Sequence, residues 1–440
     1  MGKNFFRTLV FAFSAVMFSE VSAIGLEDCC KMARDNYPEV KRLQLIEATR
    51  DLTMENILTR WLPQVTVSGM GSWQNSAGDL LQVFTPEGIN MLDNALRDIK
   101  PIKRWQYQAG FEAAQNVWDG GAIELQREIT AADAEILKMD IDRQLYTLDG
   151  RVEEVFFGIL LLESRLEQTE TKLSMLNANR EKIEKLLKNG AVAETEADIL
   201  EVEEVVAQQL AKALKTKIGM HRQMLTLLTG ADMAKQQLDR PTLPKNYALA
   251  SDMRPEYALL DAQANRQLLE LKRLDVNLRP KVSLFGQAYY GYPDMNLFRS
   301  MTDQSMSANL RLGVRVTWNL SELYTRRRSQ RIIANRLEEL VVKRDMLDYD
   351  CRMTSVMLTP EVQRLESTIA DDRRIMELRR KIRQSAESRL NNGIVDATEL
   401  RQKIIDETNA TQDYELHSLE LLKTIYQLRH NGLPSDTLNQ

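Results

Sequence analysis

Proline and glycine are scarce in this chain, 11 and 19 in 440 residues, and aromatic residues make up only 6%. So few helix breakers and so little bulky core material argue against a compact mixed fold and for long, solvated helices, as does the 28% of charged residues. After the N-terminus no apolar run approaches 18 residues, so no later membrane-spanning helix is expected. A net charge of −5 leaves no basic footprint, which excludes nucleic acid as a partner. His221, His417 and His430 have no metal-ligand spacing with one another or with cysteine. No glycine-rich phosphate loop, nucleophile elbow or HExxH motif occurs, so neither an enzyme nor a cofactor or metal site is expected.

What the N-terminus does have reads as a secretory signal over residues 1–23. Lys3 and Arg7 form a basic start, Leu9 to Phe18 an apolar run, and Val21-Ser22-Ala23 a small-residue cleavage site. Only Cys29, Cys30 and Cys351 are present. Adjacent cysteines do not suit a mutual disulfide. Glu27 and Asp28 do not fit a lipidation signal at Cys29, and a bond to Cys351 stays open.

The chain contains itself twice. Asn36-Tyr37-Pro38-Glu39 aligns with Met253-Arg254-Pro255-Glu256, an offset of 217 that also carries Pro63 to Pro280, Val65 to Val282 and Gly69 to Gly286. Farther on the offset is 203: Gly110 aligns with Gly313, Asn116 with Asn319, Asn189-Gly190 with Asn392-Gly393, and Glu196 with Glu399. The second copy therefore lacks 14 residues between about 74 and 105, a stretch with Pro86, Gly88 and Pro101 that reads as a loop. The organisation expected is a first repeat over 24–232, a linker over 233–251, a second repeat over 252–432 and a tail over 433–440. Each repeat is predicted to run helix, strand, strand, very long helix, tight turn, shorter helix.

The long helix of the first repeat, about Ile123 to Lys188, contains no proline. Its later half spaces Ile159, Leu162, Leu166, Thr169, Leu173, Leu176, Arg180, Ile183 and Leu187 alternately by three and four, a coiled-coil seam with Thr169 and Arg180 as polar interruptions. About 65 helical residues span roughly 100 Å. Asn189-Gly190 ends that helix and Asn392-Gly393 ends its counterpart. The returning helix of the second repeat carries a seam from Leu400 to Leu428 that includes Glu407. Pro360, in the second long helix where the first has Phe157, predicts a kink or break near Met357 to Pro360. Helices alone fit an ordinary dimeric or spectrin-like coiled coil equally well.

The strands distinguish the alternatives. Val65, Val67, Gly69, Gly71 and Trp73 alternate with polar residues, as do Tyr107 to Val117, Val282 to Tyr290 and Leu310 to Trp318. Runs of about ten residues, apolar on one face and polar on the other with aromatics near their ends, are what a lipid-facing barrel with a wet interior requires. Glu112, Arg311 and Arg315 fall on the wet side. Four strands cannot close, and open edges are not tolerated in lipid, so several chains must share a barrel.

The ordered set resembles the TolC family of outer-membrane efflux proteins over nearly the whole mature chain. It comprises the signal, the duplicated plan, the strand-initiating Pro63 and Pro280, Trp118-Asp119-Gly120-Gly121, and the turns Asn189-Gly190-Ala191-Val192 and Asn392-Gly393-Ile394-Val395. The resemblance implies a mainly α protein with a transmembrane β part. Long helical hairpins would form a trimeric periplasmic tunnel topped by a shared twelve-strand outer-membrane barrel. It implies a homotrimer acting as the passive conduit of a tripartite efflux or type I secretion system, bound to a periplasmic adaptor, an inner-membrane pump and outer-membrane lipid. Asn189, Gly190, Ala191, Asn392, Gly393 and Ile394 would be the adaptor-docking tips, and Glu399, with its repeat mate Glu196, the periplasmic gate candidate. Glu399 equally suits a plain early-helix acid favoured by the helix dipole. The competing reading is a periplasmic coiled-coil adaptor or structural protein.

Overall fold

A computed structural model describes residues 23–75, 100–188, 194–242, 254–391 and 397–431. The signal segment, most of the loop after the first strand, the end of the linker, both hairpin turns and the tail lie outside the described residues.

The elements in chain order are α1 (Leu26–Asn36), α2 (Glu39–Leu58), a 3₁₀ turn (Thr59–Trp61), β1 (Gln64–Trp73), β2 (Trp105–Trp118), α3 (Ala122–Lys188), α4 (Glu194–Thr229), α5 (Pro255–Asn277), β3 (Lys281–Tyr292), α6 (Leu297–Thr302), β4 (Ser307–Thr317), α7 (Glu322–Asn391) and α8 (Ala397–Asn431). The one helix expected at the start of the first repeat is split in two at Tyr37-Pro38, where the ring disfavours helix in the residue before it. Several boundaries repeat at the offsets seen in the sequence. β1 and β3 begin at Gln64 and Lys281, α3 and α7 end at Lys188 and Asn391, and α4 and α8 begin at Glu194 and Ala397.

Of the kink or break expected near Met357 to Pro360, the break does not occur: α7 runs through as one helix of 70 residues. A proline leaves the carbonyl four residues earlier without its donor. Here that residue is Val356, whose side chain, like that of Met357, is more than 70% exposed, so water can reach the freed carbonyl. Phe157, which stands at the matching position of the first copy, is buried, whereas Pro360 is exposed.

Packing divides the chain into two compact units, each drawing on both repeats. One is built from described parts of 1–40, 142–255 and 346–440. Its main core gathers Cys29 and Ala33 of α1, Val152, Phe156, Phe157 and Ile159 of α3, Leu225 of α4, and Met233 and Leu422. A second cluster joins Val362, Leu365 and Ile369 of α7 to Leu421 and Ile425 of α8. The two glycines inside α3 are sockets for histidines on neighbouring helices. A Cβ on Gly150 would stand 2.7 Å from His430 Nε2, and one on Gly158 would stand 2.9 Å from His221 Cδ2. His430 also stacks on Tyr146 at 4.1 Å, and the third histidine, His417, bonds Asp372 at 2.7 Å. All three cysteines are free, and burial pushes the thiols of Cys29 and Cys30 up to about 11 and about 12, which makes them poor nucleophiles.

The other unit is built from described parts of 41–141 and 256–345. Ion pairs tie α3 to its neighbours: Lys138 to Glu47 of α2 at 2.6 Å, and Asp133 and Glu128 to Arg266 and Lys272 of α5 at 2.6 and 2.7 Å. A small core of Leu125, Ile129 and Val276 lies between them. The four strands form one antiparallel sheet in the order β1-β2-β3-β4. Glycines stand at the matched positions 110 and 313 because the neighbouring strand leaves no room for a side chain. A Cβ on Gly110 would run into the Ala288 carbonyl and into Tyr289 Cβ, the latter at 2.6 Å, and one on Gly313 would meet the Phe285 ring at 2.9 Å. Gly71 has nothing within 4 Å. Gly110→Val should therefore disrupt the β2–β3 pairing and destabilise the protein by about 2 kcal/mol or more. Gly71→Val should be tolerated. Thermal unfolding of the two variants side by side checks the contrast, and equal effects would refute it.

Candidate functional site

Register sorts the sheet into two faces, because successive side chains on a strand point to opposite sides. Val67 of β1, Phe111 of β2, Ala288 of β3 and Leu310 of β4 stand in one row, and the neighbouring rows on that face add Val65, Tyr107, Tyr290, Leu312 and Val314. None of the described residues covers this face; Val67 is 81% exposed and Leu312 73%. Pro63 and Pro280 stand immediately before the first residues of β1 and β3.

On the opposite face Thr66, Glu112, Gln287 and Arg311 form a row across all four strands. They are wired together. Gln287 Nε2 donates to Glu112 at 2.7 Å, Arg311 Nε donates to Gln287 Oε1 at 3.1 Å, and Arg315 Nη2 donates to Glu112 at 3.3 Å. The Arg315 guanidinium also sits 4.8 Å over the Phe285 ring. A cavity of about 410 Å³ opens on this row between Ser68, Gln108, Tyr289 and Arg311. The face is thus polar, hydrogen-bonded and suited to water. Alternation alone placed Glu112, Arg311 and Arg315 on this side, but the network among them depends on register.

The six residues of the expected docking tips lie outside the described residues. Glu399 is exposed in the first turn of α8, and Glu196 lies in the first turn of α4. Just behind each turn is a feature that seam analysis missed. Arg180 on α3 reaches Glu204 on α4 at 2.8 Å and Glu184 on its own helix at 3.6 Å. The residues 203 positions on repeat the arrangement: Arg383 pairs with Glu407 across the hairpin and with Glu387 at 2.9 Å. The seam's polar interruption is one half of a duplicated ionic clasp. The signal available was the offset itself, which carries Arg180, Glu184 and Glu204 onto Arg383, Glu387 and Glu407 together.

Two neighbouring cavities of about 460 and 510 Å³ share Glu153, Tyr426 and His430. The second is lined by Cys30, Asp149, Glu153 and His430 together, and burial pushes the Cys30 thiol up to about 12. Among the described residues no group of three or more His, Cys, Asp or Glu has metal-binding geometry, and no helix is long and apolar enough to cross a membrane.

This geometry recurs in solved structures. The outer-membrane channel OprN superposes with a TM-score of 0.61 at 16% identity, over 93% of this chain and 90% of that one. The MtrE outer-membrane channel of Neisseria gonorrhoeae, in its open state, gives 0.59 at 12%, over 92% and 88%. The outer-membrane protein VceC of Vibrio cholerae gives 0.56 at 10%, over 93% and 97%. The chain has the TolC-family fold. No protein-family model and no curated protein sequence matches it. The structures it resembles are of channels, and the resemblance runs through both repeats.

The cavity lining yields a test of the interior. Burial, then the charge of Asp149, push the Glu153 carboxyl up to about 7, against the pull of Arg429. A raised carboxyl favours the protonated native state, so its stabilising contribution is full below about 4.5 and is lost as pH rises through about 7. Glu153→Gln should match the parent at pH 4.5 and exceed it by about 3 kcal/mol at pH 8. Thermal unfolding across that range checks the sign; a constant difference would show that Glu153 does not titrate there.

Proposed function

We propose that three copies of this chain form a channel through the outer membrane of a Gram-negative bacterium, the passive exit duct of an efflux or type I secretion system. The observation that carries this reading is the sheet: apolar on one exposed face, polar on the other, with β1 and β4 each lacking a neighbour on one side. In hydrocarbon those edges must be paired by another strand. Strand lengths of 10, 14, 12 and 11 residues suit tilted crossings of a bilayer. Two copies would give eight strands, whose interior side chains fill, whereas three give twelve and an open lumen. A three-fold closed ring is an assembly that rotational symmetry permits.

The likeness to OprN, MtrE and VceC supports the channel reading. A periplasmic adaptor would need one hairpin between flanking domains, and the pairing of strands from both repeats in one sheet argues against it. On the channel reading Glu399 lies at the hairpin end as one of three equivalent carboxylates, and the turns at 189–191 and 392–394 meet the adaptor and, through it, the pump.

Electron microscopy of the detergent-extracted particle should show three-fold symmetry, with a short barrel joined to a helical tunnel. A monomer or a plain rod would end this reading. In planar bilayers the channel should prefer cations, because a carboxylate ring attracts them. Glu399→Gln should bring the permeability ratio toward unity, and an unchanged ratio would remove Glu399 from the gate without touching the channel itself.

A further inference from the structure

Where β4 gives way to α7, the second repeat carries a cationic face that the first lacks. Beyond Thr317 the exposed side chains are at first apolar or aromatic: Trp318, Leu320, Leu323 and Tyr324, the last 81% exposed. Trp318 is fixed at the boundary by its indole N–H, which donates to the Leu278 carbonyl at 2.8 Å. Arg327, Arg328 and Arg331 then follow Tyr324 at spacings of three, four and seven, which places all four on one face of the helix. All three arginines are exposed, and among the described residues none is in an ion pair; Arg328 only touches the Tyr324 carbonyl at 3.3 Å. Arg326, off that face, is already neutralised by Asp275.

The fold does not require these arginines. Their mates 203 positions earlier are Glu124, Leu125 and Glu128. Glu124 pairs with Arg127 at 2.8 Å, Glu128 pairs with Lys272 at 2.7 Å, and Leu125 is core. Unpaired cations near a helix N-terminus are also opposed by the helix dipole. The order of chemistries along the chain is apolar strand face, tryptophan, leucine and tyrosine, then guanidinium. From Tyr324 to Arg331 the helix rises about 10 Å. That is the sequence and the depth of a bilayer boundary, whose polar layer is roughly 5–8 Å thick on each side. The guanidinium fork matches phosphate oxygens two at a time.

We propose that Tyr324, Arg327, Arg328 and Arg331 form a binding face for the headgroup phosphates of anionic phospholipid, in the leaflet on the helical side of the barrel. This rests on the channel reading and adds a lipid site to it.

The test uses full-length protein extracted from membranes, incubated with phosphatidylglycerol or phosphatidylcholine and examined by native mass spectrometry. The parent should retain phosphatidylglycerol preferentially. R327Q/R328Q/R331Q should lose that preference on the order of tenfold or more, with its oligomeric state unchanged. R327K/R328K/R331K, which keeps the charge, should retain most of it and guards against a folding artefact. Equal retention by the parent and the glutamine variant overturns the site. So does dissociation of the oligomer with unchanged lipid retention, which would assign the face to a contact between copies. A parent that never fractionates with membranes would instead sink the channel reading. A membrane-embedded parent with no phosphatidylglycerol preference sinks the lipid site alone.

Discussion

A backbone amide in hydrocarbon has no water to bond, so a strand there must be paired on both sides. Among the described residues β1 and β4 are each paired on one side only, and none covers their apolar face, where Val67 and Leu312 are mostly exposed. This single constraint organises the rest. On the proposed membrane reading it makes the sheet a fragment of a larger barrel and calls for a partner strand at each edge. It also leaves the opposite face, with Glu112, Gln287, Arg311 and Arg315 bonded to one another, as the side that meets water. The helices answer a different need. They bury modest apolar stripes against one another and expose charge elsewhere, so ion pairs between helices recur along them where a globular protein would place a larger core.

Duplication supplies two versions of each part, and their differences identify what is specific. Where both copies agree, structure explains the agreement: a glycine with no room for a Cβ in the sheet, an arginine clasped between two glutamates near each hairpin end. Glu204 and Glu407 are held partly out of solvent by these clasps, so removing either arginine would leave a carboxylate with less compensation. Where the copies disagree, one has taken on a separate role. Phe157 fills a core while Pro360 sits on an outward face, and Glu128 braces α5 while Arg331 stands unpaired.

Much of this was legible before any coordinates. Period-two alternation located all four strands within a few residues, and the absence of proline marked α3 closely, because both signals are local. Three kinds of fact were not legible. Register is non-local, so the Glu112–Gln287–Arg311 row could not be read from single strands. The consequence of Pro360 depends on whether solvent can reach the freed carbonyl, which sequence does not state. The clasp partners of Arg180 and Arg383 lie 24 residues away across a turn, beyond the reach of a seam pattern read on one helix. The repeat offset held that last fact in latent form, since a three-residue charge pattern duplicated with its spacing intact is unlikely without a shared contact.

The charge distribution bears on how a duct of the proposed kind would act. The polar face of the sheet carries Arg311, Arg315 and Lys281 against Glu112 alone, whereas Glu399 stands in the first turn of α8. On the channel reading, the Glu399 carboxylates would attract cations and the basic excess on the sheet would oppose them. The cation preference of such a passage would then be set at Glu399, and the sheet would limit its depth.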